Sequence, residues 1–424
     1  MATSATRGSV TWSFSTDLTV GSYANGDQYV VAPSGVTITG TTPAYELSGG
    51  TWHRNGTMIN PTAGHETVQG FDSTGPQWSE AANRADEWPL LVSAGSSIVT
   101  AISSETQYDR PQLTEFQVLT VVSSAPPANS FRPPYVGTDK SLSYTKSDLD
   151  YTVLRSLSQP NSGANVPTLS TVEAYFQYPW FEIETSWAAQ DLHPTANMPN
   201  YGRDMAYQLS EGLLSLQLDY SEAEKETLMI RLVQYGIDIY GAAVNGGEWR
   251  NNGGHSHGRK AILLLAAYAL DDAAMLAYCD AETHFIFGED QQTFYVSQAD
   301  VDDCPKLDFR VCYTSDMIGT PEWGAKHSTQ PSRDNSDWVT PYRKIVGSTQ
   351  LGLCLGATLM SGESDWNHPE LFDYIDRYWL VEGENASDSV NEIHLFERDM
   401  WVAYGPLAPP PPRYYPSNSD AYLL

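Results

Sequence analysis

Positive charge is scarce in this chain. Its 23 Lys+Arg stand against 52 Asp+Glu, a formal net charge of −29 over 424 residues. A surface that acidic repels phosphate backbones, which argues against nucleic acid as a partner. Cysteine is scarce too: Cys279, Cys304, Cys312 and Cys354 are the four, and their spacing fits no zinc pattern. Cys304 and Cys312 could close a short disulfide loop or stay as thiols. No apolar run approaches the length of a membrane span, so no membrane insertion is expected. The opening MATSATRGS is polar and lacks an apolar h-region, so no secretory signal is read there. An extracellular or virion-associated protein that leaves its cell by another route is the expectation.

What is present describes a folded chain. Hydrophobic residues make up 41%, aromatics 12% and charged residues only 18%, a balance that argues against disorder. The length suits two or three domains. The 12 Trp and 25 Tyr are side chains that stack on sugar rings, and they are also ordinary core residues.

Residues 1–125 read as β. Val10–Phe14 alternates with period two, and 29–31, 36–39, 90–92, 97–102 and 116–122 are further β-branched runs split by Gly, Pro and Asn turns. Short strands at this spacing predict an N-terminal antiparallel β-sandwich. Trp52, His53 and Arg54 are a minor carbohydrate-contact candidate. Residues 126–170 read as a proline-rich linker or arm.

From 171 to 405 the apolar period becomes helical. Met205–Leu216 carries one stripe. Ser221 and Glu224 form a capping box ahead of a second, at Leu228, Leu232, Tyr235 and Ile239. The stretch Asn245–Leu270 packs Trp249, Arg250, Asn251, Asn252, His255, His257, Arg259 and Lys260 into a glycine-rich loop, then runs into the apolar Ala261–Leu270. This predicts a polar loop resting on a buried helix. A short helix after Asp271–Asp272 and further helices over 342–360 and 369–379 follow. Residues 283–340 read as a long insertion or lid, and 406–424 as an extended proline-rich tail. Paired helices predict a multidomain α and β chain whose second part is an α/α toroid-like helical domain, with a plain bundle as the alternative.

Other polar-aromatic clusters fall at 193–203, 321–327 and 338–343. Arg203, Arg259 and Arg343 each sit near a predicted helix start, where the dipole favours an anion. One convergent cleft for a carboxylate- or sulfate-bearing ligand is expected.

A β-sandwich joined to an α/α toroid, with Asn, His, Tyr and Arg in the toroid loops, resembles polysaccharide lyases of the alginate-lyase and heparinase type. The resemblance covers residues from about 190 to 400, and in those families the two domains often come in the reverse order. It implies cleavage of a uronate-containing anionic polysaccharide by β-elimination. The chemistry needs a clamp on the carboxylate, a base for the neighbouring C–H proton and an acid for the leaving oxygen. Asn252 and Arg259 are the candidates for the clamp, His255 or His257 for the base and Tyr201 for the acid. His327 and Arg203 stand second for base and clamp. Trp249, Trp323, Trp338, Tyr342, Arg343 and Arg203 are the candidate substrate contacts. No cofactor is expected. A divalent metal at His255 and His257, completed by His327, is weighed and not favoured.

Two other classes stay open. Carboxylate pairs such as Asp191 with Glu248, or Glu322 with Asp337, could serve glycoside hydrolysis. A virion surface or tail protein could bind host glycan without cutting it, as a homo-oligomer or within a particle.

Overall fold

The computed structural model describes residues 1–303, 313–324, 341–382 and 393–406, with the side chains at 303, 341–346 and 381–382 outside that set. Among the described residues no helix is long and apolar enough to cross a membrane. The chain is mixed α and β, with its sheet at the N-terminal end.

Strands β1 (Ala2–Arg7), β2 (Val10–Ser22), β3 (Gln28–Val31) and β4 (Val36–Thr42) lead into a small hairpin, β5 (Glu46–Ser48) with β6 (Trp52–Arg54). Strands β7 (Thr57–Ile59), β8 (Leu90–Val92), β9 (Ser96–Ser103) and β10 (Leu113–Val122) follow. They form one eight-stranded sheet in the order β7-β9-β10-β3-β2-β4-β8, with β1 also on β2. Two separate antiparallel sheets were the expectation, and a single curled sheet is what forms. The reason is β2. Its start pairs with β1 and β4, and its end pairs with β3, so one strand carries the ladder round the bend. Nor is the sheet wholly antiparallel, because β10 lies parallel to β3.

The two faces of β9 and β10 bury different things. Ile98, Leu119 and Val121 point into the curl, against Trp12, Phe14, Val30 and Ile38. Val99, Ala101, Phe116 and Val118 point the other way, into the core shared with the helices. Period-two alternation produces this division. At the junction Phe116 meets Phe71, Tyr135 and Phe181 edge-on, with ring centroids 5.4–5.6 Å away.

The proline-rich segment 126–170 is no free arm. Phe131, Arg132, Tyr135 and Val136 are all buried in it. Arg132 Nε donates to Asp27, in the β2–β3 turn, at 2.7 Å. Its two terminal nitrogens grip Asp238 at 2.9 and 2.6 Å. The Gln234 amide closes on the Arg132 backbone at 2.8 and 3.0 Å.

The helices begin with α1 (Leu169–Tyr175), α2 (Gly202–Leu216), α3 (Glu222–Val244), α4 (Arg259–Ala269) and α5 (Ala273–Ala277). Ser221 and Glu224 form the capping box at the start of α3, and Asp272 caps α5. Next come α6 (Gly288–Gln292), a hairpin of β11 (Thr293–Tyr295) and β12 (Pro321–Trp323), and α7 (Gln298–Asp303) between those strands. The chain continues through α8 (Pro341–Leu359), α9 (Glu363–Trp366), α10 (Pro369–Glu382) and α11 (Leu395–Tyr404). Contacts fix the direction of the central helices. Tyr207 bonds Ser348, Gly352 lies against Ser210, and Gly356 against Leu213, so α2 and α8 run parallel. Gly258 lies against Leu353 and Gly362 against Leu264, so α4 runs the same way. Apart from Tyr268, which is half-buried, every residue of α4 is buried, as the apolar run predicts.

Arg132→Ala strands the Asp27 and Asp238 carboxylates in the interior. It is expected to lower stability by about 3–5 kcal/mol in urea unfolding, and adding Asp27→Asn and Asp238→Asn should recover much of that. An unfolding midpoint unchanged from the parent would remove Arg132 as the joint between sheet and helices.

Candidate active site

The loop before α4 climbs back along the first turns of α2. Gly202 makes this possible: a Cβ there would lie 2.2 Å from the His255 Cα. Beside it, residues 187–192 form one 3-10 turn, begun by Ser186, whose hydroxyl accepts the Ala188 N–H at 3.2 Å. Between loop and turn lies a small cleft with room for about one water-sized polar group, lined among others by Glu184, Gln190, His193, Asn200, His255 and Arg259.

Behind the floor, Glu182 is buried and gathers donors. Tyr235 Oη donates to it at 2.6 Å, Trp249 Nε1 at 2.7 Å and Arg259 Nε at 2.8 Å. Burial disfavours the Arg259 charge, but Glu182 more than offsets this and holds the guanidinium above its ordinary value. Arg259 Nη1 is buried and has no hydrogen-bond partner. A fixed cation therefore backs the cleft with a donor to spare.

His193 supplies the complementary acceptor. Its Nδ1 sits 2.9 Å from the Pro199 carbonyl oxygen, which can only accept, so the proton is on Nδ1. The Nε2 lone pair is buried and without a partner. Burial, with the Arg259 charge and then His255 adding to it, pushes His193 down to about 3, so the ring is neutral at ordinary pH. Half-buried at the same cleft, His255 packs perpendicular to the Tyr201 ring at 5.3 Å and faces Trp187 at 6.4 Å. Its pKa is lowered by burial and then by Arg110.

The structure thus brings Arg259, His255 and Tyr201 together, and adds His193, Gln190 and Asn200 to them. Other candidates go elsewhere. His257 is buried, with Nε2 bonded to the Gln292 amide oxygen, and burial pushes it down to about 4. It is not among the residues that line the cleft, and Gln292 also donates to the Gly253 carbonyl, which turns the amide oxygen towards His257. Trp249 offers no face for a sugar: it is buried and stacked on Phe287 with centroids 5.2 Å apart. Trp323 is buried as well, its Nε1 3.3 Å from Gln292. Asn252 sits in the loop, its carbonyl accepting the His255 N–H at 3.3 Å, and it is Asn200 that lines the cleft. Arg203 lies over the Tyr201 ring at 5.3 Å and pairs with Asp204.

Arg259 and Lys260 pair with the buried carboxylates Glu182 and Asp290. Asp191 pairs with Arg110, Glu248 with Arg250, and Glu322 with Arg377. Tyr342 and Arg343 fall in the first turn of α8, their side chains undescribed. His327, Trp338, Asp337, Cys304, Cys312 and the tail from 407 onward lie outside the described residues. Cys279 and Cys354 are buried thiols. Among the described residues, no group of three His, Cys, Asp or Glu is placed to hold a metal ion. No known protein family, curated protein or solved structure matches the chain.

A histidine kept neutral by burial binds no proton on folding, whereas in the unfolded chain it titrates near its ordinary 6.5. Acid therefore favours the unfolded state across the window from 6.5 down to about 3 for His193 and about 4 for His257. Melting temperature should fall between about pH 7 and about pH 4. His193→Asn keeps a donor near the Pro199 carbonyl and should flatten the fall. Parallel profiles for parent and variant would contradict a buried neutral His193.

Proposed function

We propose that this cleft binds a uronate-containing anionic polysaccharide and cleaves it by β-elimination. One observation carries the reading: Arg259 Nη1 and His193 Nε2, a donor and an acceptor, are both buried and unpartnered at one cleft. In this scheme the uronate carboxylate meets Arg259, with the amides of Asn200 and Gln190 beside it. Neutralising that charge acidifies the adjoining C–H and stabilises the enolate that forms. The His193 lone pair takes the proton. Burial depresses this histidine most and the Arg259 charge next; carboxylate binding offsets the second, so the base strengthens as substrate arrives. Tyr201, at the mouth beside His255, donates to the leaving oxygen. A toroid-like reading of the helical part is supported by the common direction of α2, α4 and α8. Such a substrate places the protein outside the cell or on a virus particle, as a single unit or an assembly.

The test is a panel of alginate, polygalacturonate, hyaluronan, chondroitin sulfate and heparan sulfate, read by ultraviolet absorbance and by reducing ends together. Elimination gives both signals. Reducing ends alone identify a hydrolase, and binding with neither signal identifies a glycan-binding protein. On the active substrate, His193→Asn should lower kcat by about 10²–10⁴-fold, the range for loss of a general base, with KM little changed. Full activity in that variant would pass the base role to His255.

A further inference from the structure

We infer that Trp187 and Arg110 form a second subsite, which binds the sugar next to the one seated on Arg259. The inference rests on the uronate reading of the cleft and extends it along the polysaccharide. Trp187 lines the cleft together with Ala189 and Gln190, on the same 3-10 turn, yet it is 47% exposed. An indole left half in water beside a cleft offers the flat apolar face that a sugar's C–H face covers. The ring stands 6.4 Å from His255, on the mouth side of the buried floor.

The same turn brings a cation to this rim. Asp191, four residues after Trp187, pairs with Arg110 from the loop between β9 and β10. Its backbone carbonyl accepts the Gln112 N–H at 2.6 Å, which pins that loop to the turn. The Arg110 side chain is 53% exposed, and its charge reaches His255. Asp191 occupies one edge of a guanidinium that carries five N–H groups. On a chain of net charge −29, a cation beside an exposed indole suits an anionic sugar. The sheet and the helical part would then each supply part of one binding surface.

The experiment uses size-fractionated oligomers of alginate, hyaluronan and heparan sulfate with the full chain, comparing KM and kcat for short and long oligomers. For the parent, KM should fall as the oligomer grows past the shortest one cleaved. Trp187→Ala should raise KM on long oligomers about tenfold, the order for losing one stacked ring, while kcat and Tm hold. Its KM should then stop depending on length. Trp187→Phe should restore part of the dependence, and Arg110→Gln should weaken it in a salt-sensitive way. If the parent neither binds nor cleaves any of the three, the uronate reading fails and the subsite with it. If the parent cleaves and Trp187→Ala keeps the parental KM at every length, or loses kcat alone, the subsite is overturned and the uronate reading stands.

Discussion

The Arg132 guanidinium is the buried ionic link between the two halves of the molecule, beside the hydrophobic core that they share. It lies buried in the proline-rich segment, between the Asp27 carboxylate of the β2–β3 turn and the Asp238 carboxylate of α3. Removing two carboxylates and a guanidinium from water is costly, and the mutual attraction compensates only when the geometry is held. The prolines around it, Pro126, Pro127, Pro133 and Pro134, restrict the backbone that presents it. The β9–β10 loop and the turn at 187–192 are held to each other by Arg110 and Gln112, both of which meet Asp191. The cleft draws on that arrangement, since its lining turn is pinned by the sheet's loop.

Local features were readable in the sequence because their causes are local. The Ser221–Glu224 capping box, the stripe of α2 and the apolar run of α4 each depend on residues within a few turns of one another. Strands β2, β3, β4, β8, β9 and β10 were readable from alternation or β-branched runs, whereas β1, β5, β6 and β7 were not. What the sequence concealed depends on distance along the chain. Nothing near β10 says that it pairs parallel with β3, or that β2 serves both ends of a curled sheet. The proline-rich segment looked like an arm because proline marks extended chain, and extended chain can be buried as well as free.

The site shows the same division. His255, Arg259 and Tyr201 stood out because they sit in dense polar clusters. Glu182 did not, because a carboxylate among 52 acidic residues carries no mark of its role until Arg259, Trp249 and Tyr235 converge on it. His193 lay inside the 193–203 cluster, but the features that define it are the Pro199 carbonyl, which sets its tautomer, and burial beside Arg259, which keeps it neutral. Trp249 shows the opposite case. A tryptophan beside arginine and asparagine has the composition of a sugar platform, yet its indole N–H was needed by the buried carboxylate.

The parallel pairing of β3 with β10 also bears on how the chain comes into being. As the polypeptide emerges from the ribosome, Gln28–Val31 must wait for Leu119–Val122 before its second edge is satisfied. Until then a β-branched strand lies open to any passing partner. Closure of the curl is thus a late event governed by loop entropy, and the nascent sheet is the stage at which a chaperone would matter most.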